Sequence, residues 1–340
     1  MREAMFIKKN AEKWNEYQHA PTDNPDITAE RFVDLIDDLS YAKTFYPKSK
    51  VTRWINGIAA GIYQSIYRNK KEKYSRIFIF WKYELPLLFK RYHSIFLFTT
   101  VLFVLFVAIG VFSSMYNEQF IRGVLGDGYV DMTEENIAKG DPFGVYKDDN
   151  PFSMFVRIGF NNIRVAFLSF IFGFTLGILT IWVMWQNGLM LGCFQYLFFS
   201  KGLGIKSVMV IWIHGTLEIS AIVIASTAGF ILASGILFPK TYSRFVSFKR
   251  GAKDAAKVLI SLIPVFIVAA FFESYVTHLM SQTYDKANNP GLPVWASVLI
   301  LSVSLAFIIW YFVIHPIRLH KKGYYIRPDG IIHRLKKEYE

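Results

Sequence analysis

Residues 160–238 read FNNIRVAFLSFIFGFTLGILTIWVMWQNGLMLGCFQYLFFSKGLGIKSVMVIWIHGTLEISAIVIASTAGFILASGILF. Nearly every position is apolar or small. The polar exceptions that stand out are Asn161, Asn162 and Arg164 at the start, Asn187 in the middle, and His214 with Glu218 later on. In water such a segment would be insoluble. In a bilayer it reads as packed helices, with small residues where backbones touch and polar groups turned inward.

The whole chain fits that reading. Of its 340 residues 53% are hydrophobic and 17% aromatic, and mean hydropathy is positive. The first 90 or so residues are charged and carry no early apolar run of the kind a cleaved signal has. The single cysteine, Cys193, lies in an apolar run, which rules out a disulfide framework or a multi-cysteine metal site.

Working outward, residues 1–93 are expected to form a polar helical head. Thr28-Ala-Glu-Arg31 looks like a capped helix start, and a third helix is expected over 50–71. Residues 77–91 alternate large apolar groups with bases and predict an interfacial helix. Residues 94–315 form the transmembrane domain. Its expected spans are about 94–112, 160–185, 207–238, 258–279 and 294–314. Residues 188–200 are apolar but reach only about 20 Å, so they are either a thin span or one arm of a re-entrant hairpin. Residues 113–157 are an acidic loop and 316–340 a basic tail. The expected fold class is therefore all-α: a polytopic transmembrane helical protein with about six membrane segments, one short or re-entrant, and a helical cytoplasmic N-terminal region.

Charge orients these segments. Residues 1–93 hold 17 Lys and Arg against 11 Asp and Glu, residues 240–257 hold 6 against 1, and residues 316–340 hold 7 against 3. Residues 113–157 reverse the sign, with 4 against 8. The positive-inside rule then places both termini in the cytoplasm and the acidic loop outside. The net charge of +12 is taken up by these flanks, which leaves no nucleic-acid role to explain.

His214 and Glu218 are four residues apart and share a helix face. A charge at mid-bilayer costs about 3 kcal/mol or more, so a partner is required. Arg164 or the Asn161 and Asn162 amides are the expected ones, in a structural network. Glu273 is a second intramembrane acid, to be satisfied by Thr277 and His278 or by a neighbouring subunit. One histidine and one or two acids fall short of the three or four ligands of a tight metal site, so neither a metal nor a cofactor is expected. No GxSxG, HExxH or phosphate-binding loop occurs, and no enzyme is expected.

Gly173/Gly177 and Gly188/Gly192 are GxxxG steps, and Ala221, Ala225, Gly229 and Ala233 recur every fourth residue, with Gly215 upstream. Such ridges let backbones approach closely, within the chain or across a dimer.

Taken together, the opening Met1-Arg-Glu-Ala-Met-Phe-Ile-Lys-Lys-Asn-Ala-Glu-Lys-Trp14, Asn161-Asn-Ile-Arg164, Gly173-x-x-x-Gly177-x-x-Thr180, Asn187-Gly-x-x-x-Gly192, His214-Gly-x-x-Glu218 and Glu273-x-x-x-Thr277 resemble the stage II sporulation protein M (SpoIIM) family, in its longer, non-sporulation branch. The resemblance implies a multi-pass protein of the bacterial cytoplasmic (inner) membrane. Sporulation members act during engulfment as scaffolds that localise peptidoglycan-degrading partners. By the same resemblance the expected partners are membrane lipids, a second copy of the chain (a dimer is favoured), other membrane proteins and a MoxR-type ATPase. The expected function is a non-enzymatic scaffold that organises an envelope complex or shapes the bilayer. The alternative is a transporter or channel for a small solute or ion, with Glu218 and His214 in the pathway.

Overall fold

A computed structural model describes the chain except for residues 1, 21, 23, 68–74, 145–149, 278, 281–282, 284–290, 328–331 and 335–340. It divides into two compact units, Met1–Arg76 and Ile77–Glu340. The division falls earlier than the expected boundary at residue 93.

The first unit contains α1 (Glu3–His19), α2 (Pro25–Phe45) and α3 (Lys50–Tyr67). Their apolar faces meet around Trp14, which is fully buried among Phe6, Leu35, Leu39 and Ile55. The indole Nε1 donates to Asp38 at 2.8 Å, and Lys13 pairs with the same carboxylate at 2.7 Å. Helix α2 starts one turn earlier than expected. Asn24, not Thr28, is the cap, accepting from the Asp26 backbone N–H at 3.0 Å, and Pro25 occupies the first turn.

The division falls within α4 (Ser75–Ile79), which is followed in the second unit by a π turn (Phe80–Glu84) and α5 (Leu85–Arg91). Residues 77–91 were expected at the membrane interface. Leu85, Leu87, Leu88 and Phe89 are instead buried, and so is Glu84, which takes a hydrogen bond from Lys257. Arg91, at the end of α5, bonds Asp254 at 3.0 Å and the Ile326 carbonyl at 2.7 Å.

The long helices follow. They are α6 (His93–Tyr116), α9 (Pro151–Ile171), α10 (Ile178–Ser200), α11 (Gly204–Leu237), α12 (Arg244–Ser261) with α13 (Ile263–Phe271), and α14 (Val294–Ile309) with α15 (His315–Lys321). A π turn (Phe272–Thr277) extends α13, and another (Trp310–Ile314) joins α14 to α15. Among the described residues five helical stretches are long and apolar enough to cross a membrane: His93–Tyr116, Pro151–Thr175, Gly204–Leu237, Arg244–Thr277 and Val294–Lys321. Residues 113–157 are not a plain loop, since they hold the short helices α7 (Glu118–Leu125) and α8 (Asp127–Lys139). The tail carries a small antiparallel hairpin, β1 (Tyr324–Ile326) with β2 (Ile332–Arg334), in which Tyr325 faces His333.

The break expected near residue 186 is absent. Helix α10 is continuous for 23 residues, about 34 Å. The chain turns instead at 172–177, where a 3-10 turn (Phe172–Thr175) leads into Leu176 at φ 57° and Gly177 at φ 88°. Gly173 and Gly177 therefore flank a turn and are not a step on one helix. Gly110 of α6 meets Gly192 of α10, and Phe106 meets Gly188, so the two helices run parallel and side by side. Helix α10 lies alongside α6, but Gln186, Asn187 and Gln195 lower its apolarity, and it is not among the five stretches above.

Helix α11 is the central element. It is 34 residues long, about 51 Å, and most of its side chains are buried. Ala221, Ala225 and Ala233 are buried against neighbouring helices. A Cβ on Gly173 would strike the Gly229 carbonyl. One on Gly229 would strike the Ser169 carbonyl and lie 2.8 Å from Thr180 Oγ1. Around Gly215 there is open space, with nothing within 4 Å of an added Cβ.

Two outcomes are expected for purified protein in detergent. Gly229→Ala lowers stability by about 1–3 kcal/mol through overpacking, while Gly215→Ala leaves the thermal midpoint unchanged. Equal effects would contradict the packing described. Lys257→Met removes an ion-pair partner of the buried Glu84 carboxylate and destabilises by up to about 3–5 kcal/mol. The Glu84→Leu/Lys257→Met double variant recovers most of that loss, and a double variant as unstable as the single one would contradict the pairing.

Candidate functional site

His214 lies about 15 Å, and Glu218 about 21 Å, along α11 from Gly204, which is well inside the span. Both point toward the π turn that extends α13. His214 is buried. Its Nδ1 lies 2.9 Å from Thr277 Oγ1, and its Nε2 lies 3.9 Å from Glu273 Oε2. Thr277 Oγ1 also donates to the Phe272 carbonyl, five residues earlier, at 3.1 Å. A hydroxyl has one proton to give. Because Thr277 gives it to Phe272, the imidazole Nδ1–H donates to Thr277. The other ring nitrogen, Nε2, faces Glu273.

Glu218 is one turn further on. The Asn162 amide Nδ2 on α9 donates to its Oε1. One ligand-type atom each from His214, Glu218 and Glu273 lies within 4.8 Å of the other two, and among the described residues this is the group able to hold a metal ion. Glu273 was expected to rely on Thr277 and His278. Thr277 serves His214 instead, and His278 lies outside the described residues.

The other polar residues singled out above are elsewhere. Asn161 and Arg164 are exposed on the opposite face of α9, so neither is the partner of Glu218. With about 100° between successive residues, Arg164 lies about 200° around the helix from Asn162. Asn187 spends its amide on the Val183 carbonyl of its own helix, at 2.8 Å.

A partly open cavity of about 320 Å³ reaches His214 and Glu218. Its other walls are apolar, with Leu125 from α7, Tyr129 from α8, Met190 and Phe194 from α10 and Trp212 from α11. Burial pushes the Tyr129 phenol up to about 12, so it stays neutral. The α7–α8 wall is fixed by charge. Arg122 pairs with Asp131 at 2.6 Å, and Lys201, after α10, reaches Glu134 at 2.7 Å. The apolar spacing of Phe120, Ile121, Val124 and Leu125 was the available signal for this wall.

On the other side of Glu218 the α9–α11 seam is lined by hydroxyls. Ser169 and Ser226 lie 2.8 Å apart, and Thr180 donates to the Ser169 carbonyl at 2.9 Å. Each of these is buried. Sequence reasoning missed Ser169 and Ser226, since serine is common in spans, and Ser226 also bonds back to the Ile222 carbonyl of its own helix.

Comparisons with known proteins can now be set beside this geometry. Neither the curated proteins nor the solved structures provide a match. Residues 4–68 match a family described as a domain of unknown function (DUF8413), which falls within the first compact unit. Residues 99–278 match the family described as stage II sporulation protein M. That match covers more than half of the chain, takes in five of the six long helical stretches, and includes Asn162, His214, Glu218 and Glu273. This multi-pass membrane protein belongs to the stage II sporulation protein M (SpoIIM) family.

Proposed function

We propose that the transmembrane unit takes up a small cation, the proton included, at the His214–Glu218–Glu273 site and passes it through the membrane. The observation that carries this reading is the partly open cavity that reaches His214 and Glu218 of the cluster. A carboxylate at mid-bilayer is costly and marks a pathway more often than a scaffold. The cavity supplies an entry from the α7–α8 side. Two turns further along α11 from Glu218, the buried Ser169, Thr180 and Ser226 hydroxyls are the next polar groups on that helix's seam. The role is non-catalytic. By the charge argument the entry side is external and both termini are cytoplasmic; the family resemblance makes the membrane a bacterial inner membrane.

A scaffold reading has its own support. The first compact unit is a separate helical module suited to a partner protein, of which a MoxR-type ATPase is the example the family resemblance offers. Helix α9 exposes Arg157, Asn161 and Arg164 beside Phe160 and Phe167. A polar stripe on a lipid-facing helix favours contact with lipid headgroups or with a second copy of the chain.

The readings separate in proteoliposomes loaded with a pH- or metal-sensitive dye and challenged in turn with protons, K⁺, Mg²⁺ and Zn²⁺. Transport requires protein-dependent flux of one of these, reduced at least tenfold in Glu218→Gln. No flux of any, or equal flux in the variant, would remove the transport reading. The scaffold reading would then be favoured if crosslinking through cysteines at 157 and 164 gave a discrete dimer.

A further inference from the structure

We infer that His214 Nε2, Glu218 and Glu273 bind a divalent transition-metal ion of the zinc class. This rests on the reading above, since it names the cation the site takes, but the binding claim stands or falls separately from transport.

Three observations carry it. The first is geometry. Zinc holds imidazole nitrogen at about 2.0–2.1 Å and carboxylate oxygen at about 2.0–2.2 Å, so two ligands of one ion lie roughly 3–4 Å apart. His214 Nε2 and Glu273 Oε2 are 3.9 Å apart, and the third ligand atom falls within 4.8 Å of both. Small side-chain adjustments close the remainder.

The second is the outer shell. Metal-bound histidine usually donates its other N–H to a fixed acceptor, and metal-bound carboxylates are themselves hydrogen-bonded. Here Thr277 receives the Nδ1–H, and its own proton is held by Phe272. Asn162 donates to Glu218. The π turn makes this possible. It sets Thr277 at one nitrogen of the imidazole and Glu273 at the other, and π turns recur at functional sites.

The third is charge. Two carboxylates and one imidazole converge in this interior. A divalent ion matches the charge of the two carboxylates when both bind it, so the loaded cluster is neutral without a proton on either. The imidazole ligand selects zinc, cobalt or nickel over magnesium and calcium, which prefer all-oxygen shells. The cavity beside His214 and Glu218 admits water to complete the coordination.

The test uses the full chain in nanodiscs, stripped with chelator and titrated with Co²⁺, whose visible ligand-field bands report nitrogen and oxygen ligation. Zn²⁺ follows as competitor. One Co²⁺ per chain is expected, displaced by Zn²⁺, with a metal-dependent rise in thermal midpoint. Glu273→Gln is expected to weaken binding at least 100-fold, and Thr277→Val, which touches no metal, about 10–100-fold. Both substitutions are close in shape, and the midpoint without metal shows whether each folds. No Co²⁺ or Zn²⁺ binding by the unaltered protein overturns the inference, as does unchanged affinity in both folded variants. Binding without flux upholds the metal site and removes transport. Proton flux without metal binding does the reverse.

Discussion

The structure depends on enclosing two carboxylates at membrane depth. Glu218 and Glu273 can stay there only if protein, and not lipid, surrounds them. Helix α11 meets that need by being buried along most of its length. Asn162 reaches Glu218 from α9, and the π turn after α13 brings Glu273 and Thr277 to either end of His214. Three separate spans thus converge on one polar point, and the neighbouring packing follows from holding them there.

Close approach is what makes the convergence geometrically possible. Gly229 lets α11 touch the Ser169 carbonyl and the turn at Gly173. Gly110, which the sequence reading did not single out, does the same for α6 against Leu189 and Gly192. In lipid no hydrophobic force draws helices together, so these contacts and the Ser169–Ser226 hydroxyl pair supply the cohesion. Gly215 departs from the pattern. It borders the cavity beside His214 with open space around it, and its small size keeps the approach to the cluster clear.

The membrane fold was legible because a span of a given thickness needs a fixed length of apolar helix. Residues 94–112 and 294–314 fall within observed helical stretches, and 207–238 and 258–279 overrun the ends of Gly204–Leu237 and Arg244–Thr277 by one or two residues. The turn at 172–177 was not legible. Gly-Phe-Thr-Leu-Gly in an apolar run reads equally as a helix step or a break, and Leu176 takes a left-handed φ that its side chain does not announce. Residues 77–91 misled because bases between apolar groups describe a lipid interface and a protein interface alike. At the candidate site Glu218, His214 and Glu273 could be chosen from the cost of burying charge. Which amide would meet Glu218 could not, because Asn161 and Asn162 are adjacent and helical phase relative to an unseen neighbour decides between them. Thr277 was placed beside the wrong partner for the same reason.

The most direct test is the accessibility of a cysteine at position 215. Gly215→Cys introduces a thiol where there is open space, next to His214 and inside the cavity. The native Cys193 is buried and serves as the silent background, and Ala225→Cys places a thiol in the packed seam. A membrane-impermeant maleimide applied to right-side-out vesicles is expected to label Cys at 215 and not at 225, with no labelling of 215 from the inner face. Labelling of 215 from neither side, or from both, would contradict an enclosed cluster reached from one side only.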